Sequence, residues 1–155
     1  MGTVLGVFGW FAGPSSTVER RWPLAVRAFA AFVFVSFGIG KFVDHRSELA
    51  SFRHYVLPNP DLLVYLVGGL EIGCGILLTP GFLTRLAAVL LAADMVGAII
   101  VSGFGRWETV SLTVAPVMLV LMTVLVWVGA GRLSVDGLLI QLSVRSPTPE
   151  PSRGF

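Results

Sequence analysis

Leu62-Leu63-Val64-Tyr65-Leu66-Val67-Gly68-Gly69-Leu70-Glu71-Ile72-Gly73-Cys74-Gly75-Ile76-Leu77-Leu78 is an apolar run with a single charge near its centre. A bilayer-spanning helix needs about 20 mostly apolar residues. The flanks fit one. Pro58, Asn59 and Pro60 precede the run, Asp61 is placed to cap it, and Pro80-Gly81 stops it. The stretch predicts a span from Asp61 to Thr79. Glu71 then lies about 14 Å from either end, at a rise of about 1.5 Å per residue. A carboxylate at that depth is costly, so it marks either a function or a tightly paired structural site.

Three similar runs flank this one. They predict spans from Pro23 to Gly40, Phe82 to Ser102 and Val110 to Ala130, the last with Pro116 inside it. The composition agrees. Of 155 residues, 55% are hydrophobic and 13% charged, and the mean hydropathy is +0.85. Soluble domains carry about 25% charged residues. The expected fold class is all-α, a membrane-embedded four-helix bundle. The net charge of +2 is too small to point to nucleic acid. The one cysteine, Cys74, excludes an internal disulfide or dithiol pair. No zinc-spaced Cys/His cluster and no phosphate-binding glycine loop is present.

Residues 1–19 read as an interfacial or flexible segment, with Trp10 and Phe11 at the headgroups. Residues 20–138 form the bundle domain. Residues 139–155, rich in Pro and Ser, read as a flexible cytoplasmic tail. Four spans put both termini on one side. That side carries Arg20, Arg21, Arg27, Arg85, Arg132, Arg145 and Arg153. The other carries Lys41, Arg46, Arg53 and Arg106. The imbalance predicts cytoplasmic termini in a multi-pass protein. Trp22 and Trp127 fall near the inner interface and Trp107 near the outer one. Between the first two spans, Ser47 to Tyr55 predicts a short amphipathic helix.

Asp94 repeats the buried acid in the third run. Two ionised carboxylates near the midplane repel, so at least one is expected to be neutral or paired. The first span supplies cations at Arg27 and Lys41, fourteen residues apart on one stripe with Phe34 between them. With the helix ends taken as level, Arg27 lies about 8 Å along the axis from Glu71 and is the expected partner. Lys41 reads either as a snorkelling residue or as a ligand contact. Gly69 and Gly73 form a small-xxx-small pair suited to close helix packing. Gly68, Glu71 and Gly75 share another face, which could pack a neighbour or leave room for a ligand beside the acid. The candidate set is Glu71 as the proton-transferring group, with Arg27, Lys41 and Asp94 as ligand-binding residues. The competing reading is an ion pair that fixes helix register.

Phe37-Gly38-Ile39-Gly40-Lys41-Phe42, Phe52-Arg53-His54-Tyr55-Val56-Leu57-Pro58-Asn59-Pro60, Gly69-Leu70-Glu71-Ile72-Gly73-Cys74-Gly75, Gly81-Phe82-Leu83-Thr84-Arg85-Leu86 and Gly131-Arg132-Leu133-Ser134-Val135-Asp136 occur in that order. In order and spacing the chain resembles the DoxX family of small bacterial membrane proteins, over about Arg20 to Leu138. The resemblance implies a four-helix bundle of the bacterial cytoplasmic membrane. It also implies a membrane subunit of a redox system that links a sulfur or thiol donor to quinone. No covalently bound cofactor is expected, and quinone is the non-covalent candidate. The expected partners are the lipid bilayer and a redox protein, with self-association left open. The alternatives are a non-catalytic scaffold that recruits a partner enzyme, and a small transporter or proton path through Glu71 and Asp94.

Overall fold

In the computed structural model, residues 21–54, 59–104, 109–131 and 133–139 are described. The segment 1–19 and the tail beyond residue 139 lie outside them. Every regular element among the described residues is helical. α1 is Trp22–Val43 and α2 is His45–His54. α3 is Pro60–Leu78 and α4 is Thr84–Ala98, continued by a π-helical stretch Ile99–Phe104. α5 is Thr109–Val128, followed by a helical turn at 135–139.

Helix ends follow local chemistry. Pro23 occupies the first turn of α1, where its missing N–H costs nothing. Pro60 does the same for α3. The N-cap of α3 is Asn59, in a left-handed conformation with φ 49°. Asp61 therefore does not cap the helix as expected. It lies in the first turn, where Oδ1 is 3.4 Å from His45 Nε2 and Oδ2 is 4.0 Å from Arg53. His45 also stacks on Tyr65 at 4.5 Å. These contacts seat the amphipathic helix α2 on the start of α3.

Among the described residues, Trp22–Val43, Pro60–Leu78 and Thr84–Val101 are long and apolar enough to cross a bilayer. α5, Thr109–Val128, has 20 residues, about 30 Å at 1.5 Å per residue, which matches a hydrocarbon core of about 30 Å. Only about a third of each spanning window is buried, 33%, 33% and 28%. The rest of the surface is apolar, with Phe32, Ile76, Ile100, Val120 and Trp127 all exposed. That surface suits lipid rather than water. Thr113 and Thr123 return their hydroxyls to the carbonyls one turn back, at 2.7 and 2.8 Å, and so present no free donor.

The bundle is two antiparallel hairpins. α1 packs along α3, and α4 along α5. α3 against α4 joins the hairpins, and α1 against α5 is the sparsest of these four seams. The α1–α3 seam depends on glycine. A Cβ at Gly38 would lie 2.9 Å from the Gly68 carbonyl oxygen and 2.6 Å from Ile72. One at Gly75 would lie 2.7 Å from Val35. The close contact thus uses Gly38, Gly68 and Gly75. Gly69 and Gly73 face open space, contrary to the packing expected of that pair. The core is lined by Ala30, Ala31, Phe34, Ala87, Ala88, Leu91, Met118, Met122 and Leu125.

Candidate functional site

Two polar clusters sit at different depths. The first begins with Glu71, on the buried face of α3 between Gly68 and Gly75. Gly68 packs against Gly38 and Lys41, and Gly75 against Ala31 and Val35. That register sets Glu71 just over one turn from Lys41 along the axis. A helical side chain leans toward its own N-terminus, so Lys41 reaches back into the bundle. Its Nζ lies 2.8 Å from Glu71 Oε2, with the side chains 13% and 4% exposed. The expected Arg27–Glu71 pair is not formed. Gly81, beyond the end of α3, packs against the Arg27 guanidinium, so the helix ends are not level. Arg27 is about 15 Å from the level of Glu71, too far for its side chain.

Beside the ion pair is a cavity of about 100 Å³. α1 lines it with Val33, Phe34, Phe37 and Lys41, and α3 with Glu71. Met95 and Ala98 come from α4, and Val114, Ala115 and Met118 from α5. Two backbone irregularities border it. α4 changes to π geometry at Ile99, directly after Ala98. In α5, Pro116 falls among the three lining residues, where it cannot donate to the carbonyl one turn earlier. Such breaks in helix geometry commonly accompany functional sites. The Lys41 ammonium lies 6.0 Å from the centroid of the Phe37 ring, within reach of its π face.

Asp94 is half-buried in the turn of α4 that carries Met95. It interacts electrostatically with both Lys41 and Glu71. Its Oδ2 is shielded from solvent and has no hydrogen-bond donor among the described residues. Cys74 lies one turn along α3 from Glu71 and is buried. The structure thus gathers Lys41, Glu71 and Asp94, three of the four candidate residues, and sends Arg27 elsewhere.

Arg27 belongs to the second cluster, at the opposite end of α1. It is fully buried, and donates Nη1 to the Ala130 carbonyl and Nη2 to the Leu133 carbonyl, the latter at 2.9 Å. The segment it holds carries Asp136, 4% exposed. Asp136 accepts from the backbone N–H of Leu83 at 2.9 Å and of Thr84 at 3.0 Å, capping α4. Its own N–H donates to the Gly81 carbonyl at 3.1 Å, and that of Val135 to Pro80 at 3.0 Å. Ser134 Oγ accepts from the Gly137 N–H at 3.0 Å and starts the last helical turn. This clasp ties the start of α1, the α3–α4 turn and the segment after α5 at one end. Trp22 and Trp127 lie at that end, both exposed. Asp136 was not singled out from the sequence. Its signal is an acid just after the fourth apolar run, beside Ser134.

The fold and its buried charges define a helical membrane protein with an intramembrane polar pocket. The sequence model of DoxX matches residues 22–105, and the chain belongs to the DoxX family. It is also 34% identical over 139 residues to an uncharacterized membrane protein of Mycobacterium tuberculosis, covering 80% of this chain and 81% of that one. No solved structure matches.

Proposed function

We propose that the chain is a membrane subunit of a redox system, with the pocket beside Lys41 and Glu71 receiving the ring head of a quinone. Electrons come from a sulfur or thiol donor held by a partner protein, since the chain's single thiol is buried in α3. The observation that carries this reading is the buried ion pair on the edge of an aromatic- and methionine-lined cavity. At about 100 Å³ the cavity is smaller than the roughly 150 Å³ that holds a benzene ring, so a ring head seats in it only partly, with the remainder against the exposed Phe37. When bound, a quinone would supply a two-electron, two-proton acceptor. Lys41 offers N–H donors to a ring carbonyl, and Phe34 and Phe37 give the ring an apolar wall. Glu71, paired with Lys41, is the group that can take up a proton at the pocket edge, and Asp94 stands within electrostatic reach as a second acid. Arg27, bound to backbone carbonyls at the other end, takes no part in holding the head.

The setting that goes with this reading is the bacterial cytoplasmic membrane, with both termini on the cytoplasmic side. The test is extraction in mild detergent and mass spectrometry of bound lipids and co-purifying proteins, wild type beside Glu71→Gln. Quinone present in wild type and lost in the variant is expected. Wild type without quinone, together with Glu71→Gln cells that keep full thiosulfate- and thiol-dependent respiration, would sink the redox reading. A partner protein retained in both samples without quinone would favour the scaffold.

A further inference from the structure

We propose that the pocket is loaded sideways from within the bilayer, through the seam between α1 and α5, by a ligand with a hydrocarbon tail on its polar head. This rests on the reading of the cavity as a ligand site and names the class of ligand and its route.

The exposure of the lining residues sets the direction. Phe34 and Met118 are 1% and 2% exposed and form the deep wall. Phe37 lines the same cavity yet is 41% exposed, and Val33 and Val114 are half-buried. Val33 and Phe37 are on α1 and Val114 on α5, the two helices of the sparsest seam, while half-buried Ala98 borders the cavity from α4. α1 closes on α3 through glycine contacts and α4 closes on α5, so neither of those seams leaves room for a chain. Toward the start of α1, Ala30 and Arg27 are fully buried and the clasp covers the end.

Depth sets the chemistry of the entrance. Val33 and Phe37 lie about 17 and 22 Å along α1 from its first residue, within the roughly 30 Å of a hydrocarbon core. An opening there faces acyl chains, not water. A head on Lys41 and Glu71 leaves a tail to run out past Val33 and Val114 into lipid. Such a ligand is amphipathic and membrane-borne.

The test uses the full chain in liposomes and a lipid-soluble, single-ring aryl diazirine, with labelled residues mapped by mass spectrometry. Phe32 and Val120, 72% and 61% exposed, are the internal standard for lipid contact. Label at the buried Phe34 and Met118 comparable to that standard is expected. Val33→Trp and, as an independent plug, Val114→Trp should each cut label at Met118 several-fold and leave Phe32 unchanged. Phe34 and Met118 unlabelled beside labelled Phe32, or labelled equally with the seam plugged, overturns the lateral route. Competition then separates the two proposals. A tailed benzoquinone that protects Met118 better than its tail-less ring supports both. Equal protection by the two overturns the requirement for a tail. No protection by either, with the seam-dependent label intact, removes quinone as the ligand and leaves the lateral route standing.

Discussion

At the residue scale, Lys41 and Glu71 are an ion pair held out of water, where burying each charge is expensive and only the partner offsets it. Removing one partner leaves the other uncompensated. Lys41→Met should destabilise the protein by about 3–5 kcal/mol, read by unfolding in detergent. Lys41→Met combined with Glu71→Leu should recover most of that loss, because a buried pair is often replaceable by apolar residues of similar volume. A double variant as unstable as the single one would show that the pair is not the source of the effect. Recovered stability with lost ligand binding would separate what the pair does for the fold from what it does for the pocket. Asp94, with a shielded and unpartnered carboxylate oxygen, makes the opposite prediction. Asp94→Asn should cost little or no stability in the same assay, since no hydrogen bond at that oxygen is lost and an attraction to Lys41 is removed together with a repulsion from Glu71.

At the element scale, glycines in the α1–α3 seam and those facing away from it behave differently. Gly38→Ala places a methyl 2.9 Å from a backbone oxygen that cannot move without moving α3. It should cost about 1–3 kcal/mol, as overpacking does. Gly73→Ala meets nothing and should be neutral or stabilising by up to about 1 kcal/mol, through helix propensity. Paired melting curves in detergent decide it, and equal effects would mean that the α1–α3 register is wrong. The clasp gives a further expectation. Asp136→Ala removes the cap of α4 at Leu83 and Thr84, and should cost about 1–2 kcal/mol. Hydrogen exchange should show the loss concentrated in the first turn of α4. Gly81 has φ +72°, and a Cβ there would lie 2.6 Å from the Arg27 guanidinium. Its substitution should therefore disturb the same end.

At the scale of the whole molecule, an up-down-up-down bundle closed by the clasp has an asymmetric interior. One end is locked by hydrogen bonds to buried backbone, and the other half holds the cavity and the ion pair. If the proposed orientation holds, a cysteine placed at residue 21 in a Cys74→Ser background reacts with a membrane-impermeant thiol reagent only after the cells are opened. One placed at residue 46 reacts in intact cells. The reverse pattern would invert the topology and move the pocket toward the cytoplasmic half.

Much of this was legible in the residues. Apolar runs of spanning length bounded by Pro and Gly determine four helices, because unsatisfied backbone in lipid leaves no other solution. A single charge inside such a run identifies Glu71 and Asp94, since nothing but pairing or function keeps a carboxylate there. The partner of Glu71 was not determined that way. Arg27 and Lys41 are both on the same stripe of α1, and the choice between them depends on how far one helix slides along the other. That offset is set by Gly38 and Gly68 meeting closely, by Gly75 against Val35, and by the turn at Gly81 seating on Arg27. These contacts join residues far apart in the chain, so no local pattern encodes them. The cavity has the same origin, as space left where Phe34, Met95, Ala115 and Met118 from three helices fail to fill the interior. Helical periodicity settles which face each residue is on. The sliding and spacing of the packed helices settle what it meets there.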